Sequence, residues 1–177
     1  MNRNVSTQVM AVVSTPIGKL RVAASPRGVC RIAFPNDNGV AKAPATAARQ
    51  SGSPDERRRA RAHLRAAIAQ LREYFSGRRN RFDLPLDLAG TSQQQRVWRG
   101  LVAIPFGRTL SYGALAQELG SPGGARAVGH ACATNPVPVV VPCHRVVGSD
   151  GALHGFGGGL WRKRALLELE GARLPLG

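Results

Sequence analysis

Four consecutive residues, Pro142-Cys143-His144-Arg145, set a thiol, an imidazole and a guanidinium side by side, directly after an apolar run over 137–141. A thiolate attacks carbon where a thiol does not, and cationic or basic neighbours raise the thiolate fraction of a cysteine whose free pKa is about 8.5. Cys143 is therefore the candidate nucleophile, with His144 as a possible base and Arg145 as a cation favouring the ionised sulfur. Neighbouring side chains on an extended segment point to opposite faces, so a link from His144 to Cys143 requires a kink at Pro142 or a bridging water. The plainer alternative is a small buried thiol at the end of a core strand, because free cysteine is among the most buried residue types.

The elements that must position this tetrad divide into two parts. The first, residues 1–88, opens with three short stretches rich in Val, Ile or Ala at 8–14, 18–24 and 28–34. Pro16-Ile17-Gly18 and Pro26-Arg27-Gly28 turn between them, which predicts a small antiparallel meander. Residues 35–54 are rich in Ala, Gly, Asn and Pro without periodicity and read as a mobile loop. A helix over about 55–75 follows, with Leu64, Ala67, Ile68, Leu71 and Phe75 forming one apolar stripe. Arg57, Arg58, Arg59, Arg61 and Arg65 fall mostly off that stripe, as a solvated face or a DNA contact.

The second part, residues 89–177, is mostly helical. Helices are expected at 93–104, closed by Pro105, at 112–119 and at 123–134, with Ser121-Pro122-Gly123 turning between the last two. Two short helices joined by a tight turn suggest a helix-turn-helix, a form shared by many non-binding helical pairs. Ala125, Ala127, Gly129, Ala131 and Ala133 give the second of these a small-residue surface that permits close approach, by a neighbouring helix or by another partner. Asn135 precedes Pro136 and is pushed out of helical geometry. Asp150-Gly151, between Val146-Val147 and Ala152-Leu153, reads as a hairpin turn. A last helix over 160–169 ends at Glu170 before Gly171, where a carboxylate opposes the helix dipole and is either solvated or paired with Arg173.

From 91 to 171 the chain resembles the O6-alkylguanine-DNA alkyltransferases, also called methylated-DNA–protein-cysteine methyltransferases. The resemblance rests on Thr91-Ser92-Gln93-Gln94-Gln95 with Val97-Trp98, on Ile104-Pro105-Phe106-Gly107, and on Leu110-Ser111-Tyr112-Gly113-Ala114-Leu115-Ala116. It continues through Ala125-Arg126-Ala127-Val128-Gly129, Asn135-Pro136-Val137-Pro138 and Pro142-Cys143-His144-Arg145-Val146-Val147 to the stretch 160–171. The tetrad alone is moderately specific; the ordered set is a strong signal.

The resemblance implies an α/β fold class: a small N-terminal antiparallel sheet with a helix as support, then a helical domain whose helix-turn-helix lies in the DNA minor groove with little sequence preference. It implies in-line attack of the Cys143 thiolate on the alkyl carbon at guanine O6, one turnover per molecule, and possible action on O4-alkylthymine. Glu170 would orient His144, which acts through water on Cys143. Asn135 would tie the turn to the Cys143 segment, and Tyr112 would neutralise charge on the leaving guanine. Arg126 would enter the base stack as the damaged nucleotide rotates out, with Ala125, Ala127 and Gly129 at the DNA. Pro138, Val146, Ser149, Phe156, Gly157 and Gly158 would line the pocket. Read without the family, Arg126 is a surface arginine and Tyr112 an amphipathic core tyrosine. Phe156 stands where some relatives carry Tyr, which leaves the range of alkyl groups open.

Composition is consistent with these expectations. A net charge of +15 suggests a polyanionic partner, although Arg-rich and Ala-rich usage can also reflect codon bias. Residues 1–88 carry 16 Lys and Arg against 6 Asp and Glu, and 89–177 carry 9 against 4, so most of the excess lies outside the motif region. Cys30, Cys132 and Cys143 form neither a paired framework nor a CxxC metal spacing, which suits a reducing compartment. Cys132 is expected in core packing. The start lacks an apolar signal segment and no run approaches the roughly 20 residues needed to cross a bilayer. The expectation is a cytoplasmic protein without cofactor, metal, membrane or obligate protein partner, acting on double-stranded DNA that contains O6-alkylguanine. Two other classes stand beside it: a non-catalytic flag for alkylated DNA, which would lack the reactive cysteine, and a Cys-dependent hydrolase, which would turn over.

Overall fold

The computed structural model describes residues 7–34 and 52–173. The chain forms two compact units, Met1–Ala89 and Gly90–Gly177.

In the first unit, β1 (Val9–Thr15), β2 (Gly18–Ser25) and β3 (Gly28–Ala33) make an antiparallel sheet in the order β1-β2-β3. The expected meander is present, with boundaries shifted by about one residue. Register runs from Thr15 opposite Gly18 to Val9 opposite Ala24, and slips between Ala23 and Ala24 where β2 meets β3. Gly28 is required at the second turn: its φ is +153° and a Cβ there would lie 2.3 Å from the Pro85 carbonyl oxygen. Val29 bonds that same carbonyl at 2.8 Å, so residues 85–87 lie along β3.

Helix α1 (Pro54–Phe75) packs on the sheet. Ser53 caps it through Glu56 in a reciprocal capping box, and Pro54 occupies the first turn, where its missing N–H costs nothing. The loop expected over 35–54 is therefore corrected at its end, since Ser53 and Pro54 belong to the helix start; residues 35–51 lie outside the described residues. The buried stripe is Ala60, Leu64, Ala67, Leu71 and Tyr74. Tyr74 rather than Phe75 carries the core contact, with its ring 5.1 Å from Phe75 and 5.2 Å from Phe82.

The second unit holds α2 (Ser92–Ala103), β4 (Leu110–Ser111), α3 (Tyr112–Glu118), α4 (Ala125–Ala133), β5 (Val146–Val147) and α5 (Leu160–Leu169). Thr91 and Gln94 form a capping box on α2, and Ser111 caps α3. Trp98 of α2 is fully enclosed and donates from Nε1 to the Ala131 carbonyl at 2.9 Å, which fixes α2 against α4. Helices α3 and α4 pack together and are joined by a turn over 119–124.

Two local expectations are corrected. β5 pairs in parallel with β4, Leu110 opposite Val146, and no second strand lies at 152–153. Asp150-Gly151 still turns the chain, closed by Gly148 N–H to the Ala152 carbonyl at 2.8 Å. The apolar run 137–141 is a knot of turns rather than a strand. Val141 N–H returns to the Val137 carbonyl at 2.9 Å, and Val139 sits at φ +77°. A left-handed β-branched residue costs on the order of 1–3 kcal/mol and persists only where its surroundings impose it. Val139 is wholly buried.

Candidate active site

Pro142 has φ −81° and ψ 64°, the inverse γ-turn geometry, and Cys143 N–H closes that turn on the Val141 carbonyl at 2.8 Å. Residues Cys143–Arg145 then form one turn of 3-10 helix. Three residues per turn place successive side chains about 120° apart, so the opposite-face geometry of an extended segment does not apply. Cys143, His144 and Arg145 are all buried.

Asn135 holds the turn from the other side. Its Oδ1 accepts from Val137 N–H at 3.0 Å and its Nδ2 donates to the Val141 carbonyl at 2.8 Å, the same oxygen that closes the γ-turn. Its side chain also acts to lower the Cys143 pKa. Asn135 thus links the end of α4 to the cysteine.

Glu170 is 5% exposed at the end of α5. Arg145 grips it with two bonds, Nε to Oε2 and Nη2 to Oε1, each 2.8 Å, and sends Nη1 to the Ile104 carbonyl at 2.6 Å. His144 Nε2 lies 2.9 Å from Oε1, and Gly107 N–H reaches Oε2 at 3.2 Å. Gly107 can sit there because its φ is +75° and a Cβ would lie 2.8 Å from the Glu170 carbonyl oxygen. This gives Ile104-Pro105-Phe106-Gly107 a physical role: Ile104 and Gly107 both serve the Arg145–Glu170 pair. Glu170 is buried rather than solvated, and His144 and Arg145 are among its partners, the contact with His144 being the one the family resemblance implies.

The charges follow from this enclosure. Burial alone would raise the Glu170 carboxyl, but the bonds from His144 and Arg145 outweigh it and hold the pKa at about 2. The carboxylate is therefore an acceptor, and His144 presents its N–H through Nε2. Burial pushes the His144 pKa down; Glu170 opposes this, while the Arg145 and Lys163 charges act with burial. At neutral pH the ring is uncharged. Its Nδ1, an unprotonated acceptor, is buried without a hydrogen-bond partner among the described residues.

Burial raises the Cys143 thiol above its ordinary pKa, opposed by the Asn135 side chain and the Lys163 charge. The expectation that His144 and Arg145 favour the thiolate is corrected: Arg145 is committed to Glu170, His144 is neutral, and the resting sulfur is a thiol.

Lys163 is the residue that sequence reasoning missed. It is fully buried on α5, and Nζ donates to the carbonyls of Val146 at 2.6 Å and His154 at 2.7 Å. It also lies 5.8 Å from the Tyr112 ring centroid. Burial lowers its pKa, while Cys143 and Cys132 raise it. The Leu166 and Leu167 stripe one turn further on was the available signal, because it places Lys163 on the buried face of α5. The Val146 carbonyl thus already accepts one bond.

Tyr112 is half-buried, with its hydroxyl 3.5 Å from the His154 carbonyl. Burial first, then Cys132 and Cys143, push its pKa up to about 12, so it remains a proton donor. Gly129 of α4 faces it: a Cβ there would lie 3.9 Å from the ring. Cys132 is half-buried near the same group, and burial first, then Cys143, raises its pKa to about 12. Arg126 is exposed at the second residue of α4, with Ala125 and Ala127 half-buried beside it. Pro138 bridges to Val141, Ser149 is exposed in the 148–152 turn, and Gly159 N–H closes a turn on the Phe156 carbonyl at 2.8 Å. Gly157 is exposed, and the buried Gly158 gives its carbonyl to Arg162 at 2.6 Å. The site thus gathers Cys143, His144, Glu170, Asn135 and Tyr112, adds Arg145 and Lys163, and leaves Arg126 and Ser149 at the surface. No group of three or more His, Cys, Asp or Glu able to hold a metal ion occurs among the described residues, and no helix among them is long and apolar enough to cross a membrane.

Fold and site together define a two-unit protein whose second unit encloses a cysteine beside a carboxylate-bound imidazole. Residues 92–172 match the family model described as 6-O-methylguanine DNA methyltransferase, DNA binding domain, and residues 9–88 match its ribonuclease-like domain. A methylated-DNA–protein-cysteine methyltransferase of Methanosarcina acetivorans is 37% identical over 162 residues, covering 92% of this chain and 97% of that one. One from Mycobacterium tuberculosis is 57% identical over 109 residues, 62% of this chain; the matched stretch spans 66% of the relative's length, just under two thirds. The crystal structure of Mycobacterium tuberculosis OGT in complex with DNA superposes with a TM-score of 0.75 at 41% identity, covering 93% of each chain. The chain belongs to the methylated-DNA–protein-cysteine methyltransferase family.

Proposed function

We propose that this protein repairs DNA by moving the alkyl group of O6-alkylguanine onto Cys143, once per molecule. The observation that carries the reading is the buried His144 ring, bound through Nε2 to an ionised Glu170 and offering Nδ1 as a base on the residue next to a protonated thiol. The relative solved with DNA and the family membership supply the substrate class.

In this mechanism the thiol proton passes to His144 Nδ1 across a bridging water, and the sulfur attacks the alkyl carbon in line with the departing guanine O6. The S–C bond forms as the C–O bond breaks. The Tyr112 hydroxyl, protonated at neutral pH, gives its proton to the leaving guanine. The proton on His144 then restores Tyr112 through solvent, so that the net change is a thioether and a neutral guanine. Lys163 lowers the Cys143 pKa toward the working range. A guanine inside a duplex cannot reach a buried sulfur, so the nucleotide rotates out and the exposed Arg126 enters the stack, with α3 and α4 as a helix-turn-helix against the minor groove. The S-alkyl product has no route back to the thiol.

The test is a titration. Duplex containing O6-methylguanine in tenfold excess is incubated with the protein, and restored guanine is quantified after digestion to nucleosides. One guanine per protein molecule is expected, and none with Cys143→Ser. Continued turnover favours a hydrolase, and binding without restored guanine favours a damage flag.

A further inference from the structure

The basic face of α1 belongs to the first unit and includes none of the candidate active-site residues. Arg58, Arg61, Arg65 and Arg72 are exposed and recur at intervals of three, four and seven residues, so they form one stripe along the helix, turned away from the buried Ala60, Leu64, Ala67 and Leu71. Over fourteen residues at 1.5 Å each the stripe runs about 21 Å. Its acidic neighbours lie at the helix ends: Asp55 pairs with Arg58 in the open, Glu56 caps the N-terminus, and Glu73 is held by Arg79. Among the described residues Arg61, Arg65 and Arg72 enter no ion pair.

Alternating charge along a face marks a solvent-exposed helix laced with ion pairs. Here Arg57 faces Arg61 and Arg61 faces Arg65 at i,i+4 spacing, each like-charge pair being mildly destabilising. A polyanion laid along the face removes this repulsion. Duplex DNA presents one phosphate per roughly 3.4 Å along each strand, so a 21 Å stripe spans about six phosphates of one strand. Arginine suits such contacts because its planar fork binds phosphate oxygens two at a time.

We propose that the Arg58-Arg61-Arg65-Arg72 face of α1 is a docking surface for the phosphate backbone of duplex DNA, separate from the alkyl-transfer site and indifferent to sequence. The choice of DNA as the occupant rests on the proposed function; the charge geometry alone specifies a linear polyanion.

The full chain carrying Arg61→Gln, Arg65→Gln and Arg72→Gln is compared with the wild type and with a control that loses the same charge elsewhere in the unit, Lys19→Gln, Arg78→Gln and Arg81→Gln. Circular dichroism establishes that all three fold. Anisotropy of a fluorescent undamaged 20-base-pair duplex is measured from 50 to 250 mM KCl, and the transfer rate constant is measured at saturating lesion duplex. The stripe variant is expected to lose about 2 to 3 from the slope of log affinity against log salt, close to 0.9 per phosphate contact. The control keeps most of the wild-type slope, and saturated transfer is unchanged. Equal slopes for stripe variant and wild type, or equal losses in stripe variant and control, overturn the proposal. A wild type that binds no duplex at all instead overturns the proposed function beneath it.

Discussion

The Arg145 guanidinium and the Glu170 carboxylate form a two-pronged ion pair, both bonds 2.8 Å, with Arg145 6% and Glu170 5% exposed. This pair decides how the His144 base is set. With Arg145 neutralising it, Glu170 orients the imidazole without drawing a second proton onto it, and the ring stays neutral with Nδ1 free to accept.

Arg145→Met therefore acts in two ways. A buried carboxylate left with one fewer cation costs about 3–5 kcal/mol of stability, read from urea denaturation. Among molecules that still fold, loss of the guanidinium raises the His144 pKa, because the Arg145 charge had lowered it. The acid limb of the transfer rate against pH is expected to move upward. An unmoved limb refutes the tuning role and leaves Arg145 structural only.

Glu170→Gln keeps the shape and removes the charge. The His144 ring loses its ionised acceptor, and the transfer rate constant is expected to fall about 10²-fold, the lower end of general-base contributions. Affinity for the lesion duplex should be unchanged, because Glu170 is enclosed. A parallel fall in affinity shows that the substitution has disturbed the DNA-binding surface rather than the relay.

Lys163→Met removes a cation that lowers the Cys143 pKa and leaves the Val146 and His154 carbonyls without their shared donor. Reaction of Cys143 with a small alkylating reagent as a function of pH is the readout. The midpoint should move to higher pH than in the wild type, and transfer from DNA at neutral pH should fall by about tenfold for each unit of that movement. An unchanged midpoint removes Lys163 from the chemistry.

Stability against pH follows from the same residues. Glu170, with an ordinary pKa of 4.5 and a folded value of about 2, stabilises the fold above 4.5, and that contribution disappears as pH falls toward 2. The lowered His144 pKa destabilises in the same direction, because the unfolded chain takes up the ring proton first once pH falls below the ordinary 6.5. At the other end Cys30, raised from 9.0 to about 11, and Cys132, raised to about 12, keep protons that the unfolded chain releases, so stability declines above pH 9. Thermal denaturation across pH 3–11 should show a loss on each side. A flat acid side contradicts the ionised, enclosed Glu170.

How far the site was legible in the sequence differs residue by residue. Helix α1 was readable because its apolar residues recur at helical spacing, and the end of α5 because Gly171 follows Glu170. The tetrad was readable as chemistry, and Asn135 as a tie, because Pro136 removes it from the helix. The Arg145–Glu170 pair was not, since its members stand 25 residues apart and no local pattern relates a guanidinium to a carboxylate at the far end of a helix. The apolar stretch over 137–141 misled for a different reason. Hydrophobicity reports burial, not backbone direction, and the left-handed Val139 is imposed by tertiary packing rather than by its own preference. Lys163 escaped notice because lysines are almost always exposed; only its register with Leu166 and Leu167 marked it as inward.

The central claim is that Cys143 itself becomes the alkyl acceptor. The protein is mixed with a duplex carrying one O6-methylguanine, and intact mass is followed by fragmentation to locate the addition. The expected result is a gain of about 14 Da that stops at one per molecule, maps to Cys143 and vanishes in Cys143→Ser. A methyl group on another residue, or repair that continues without a stable adduct, would contradict it.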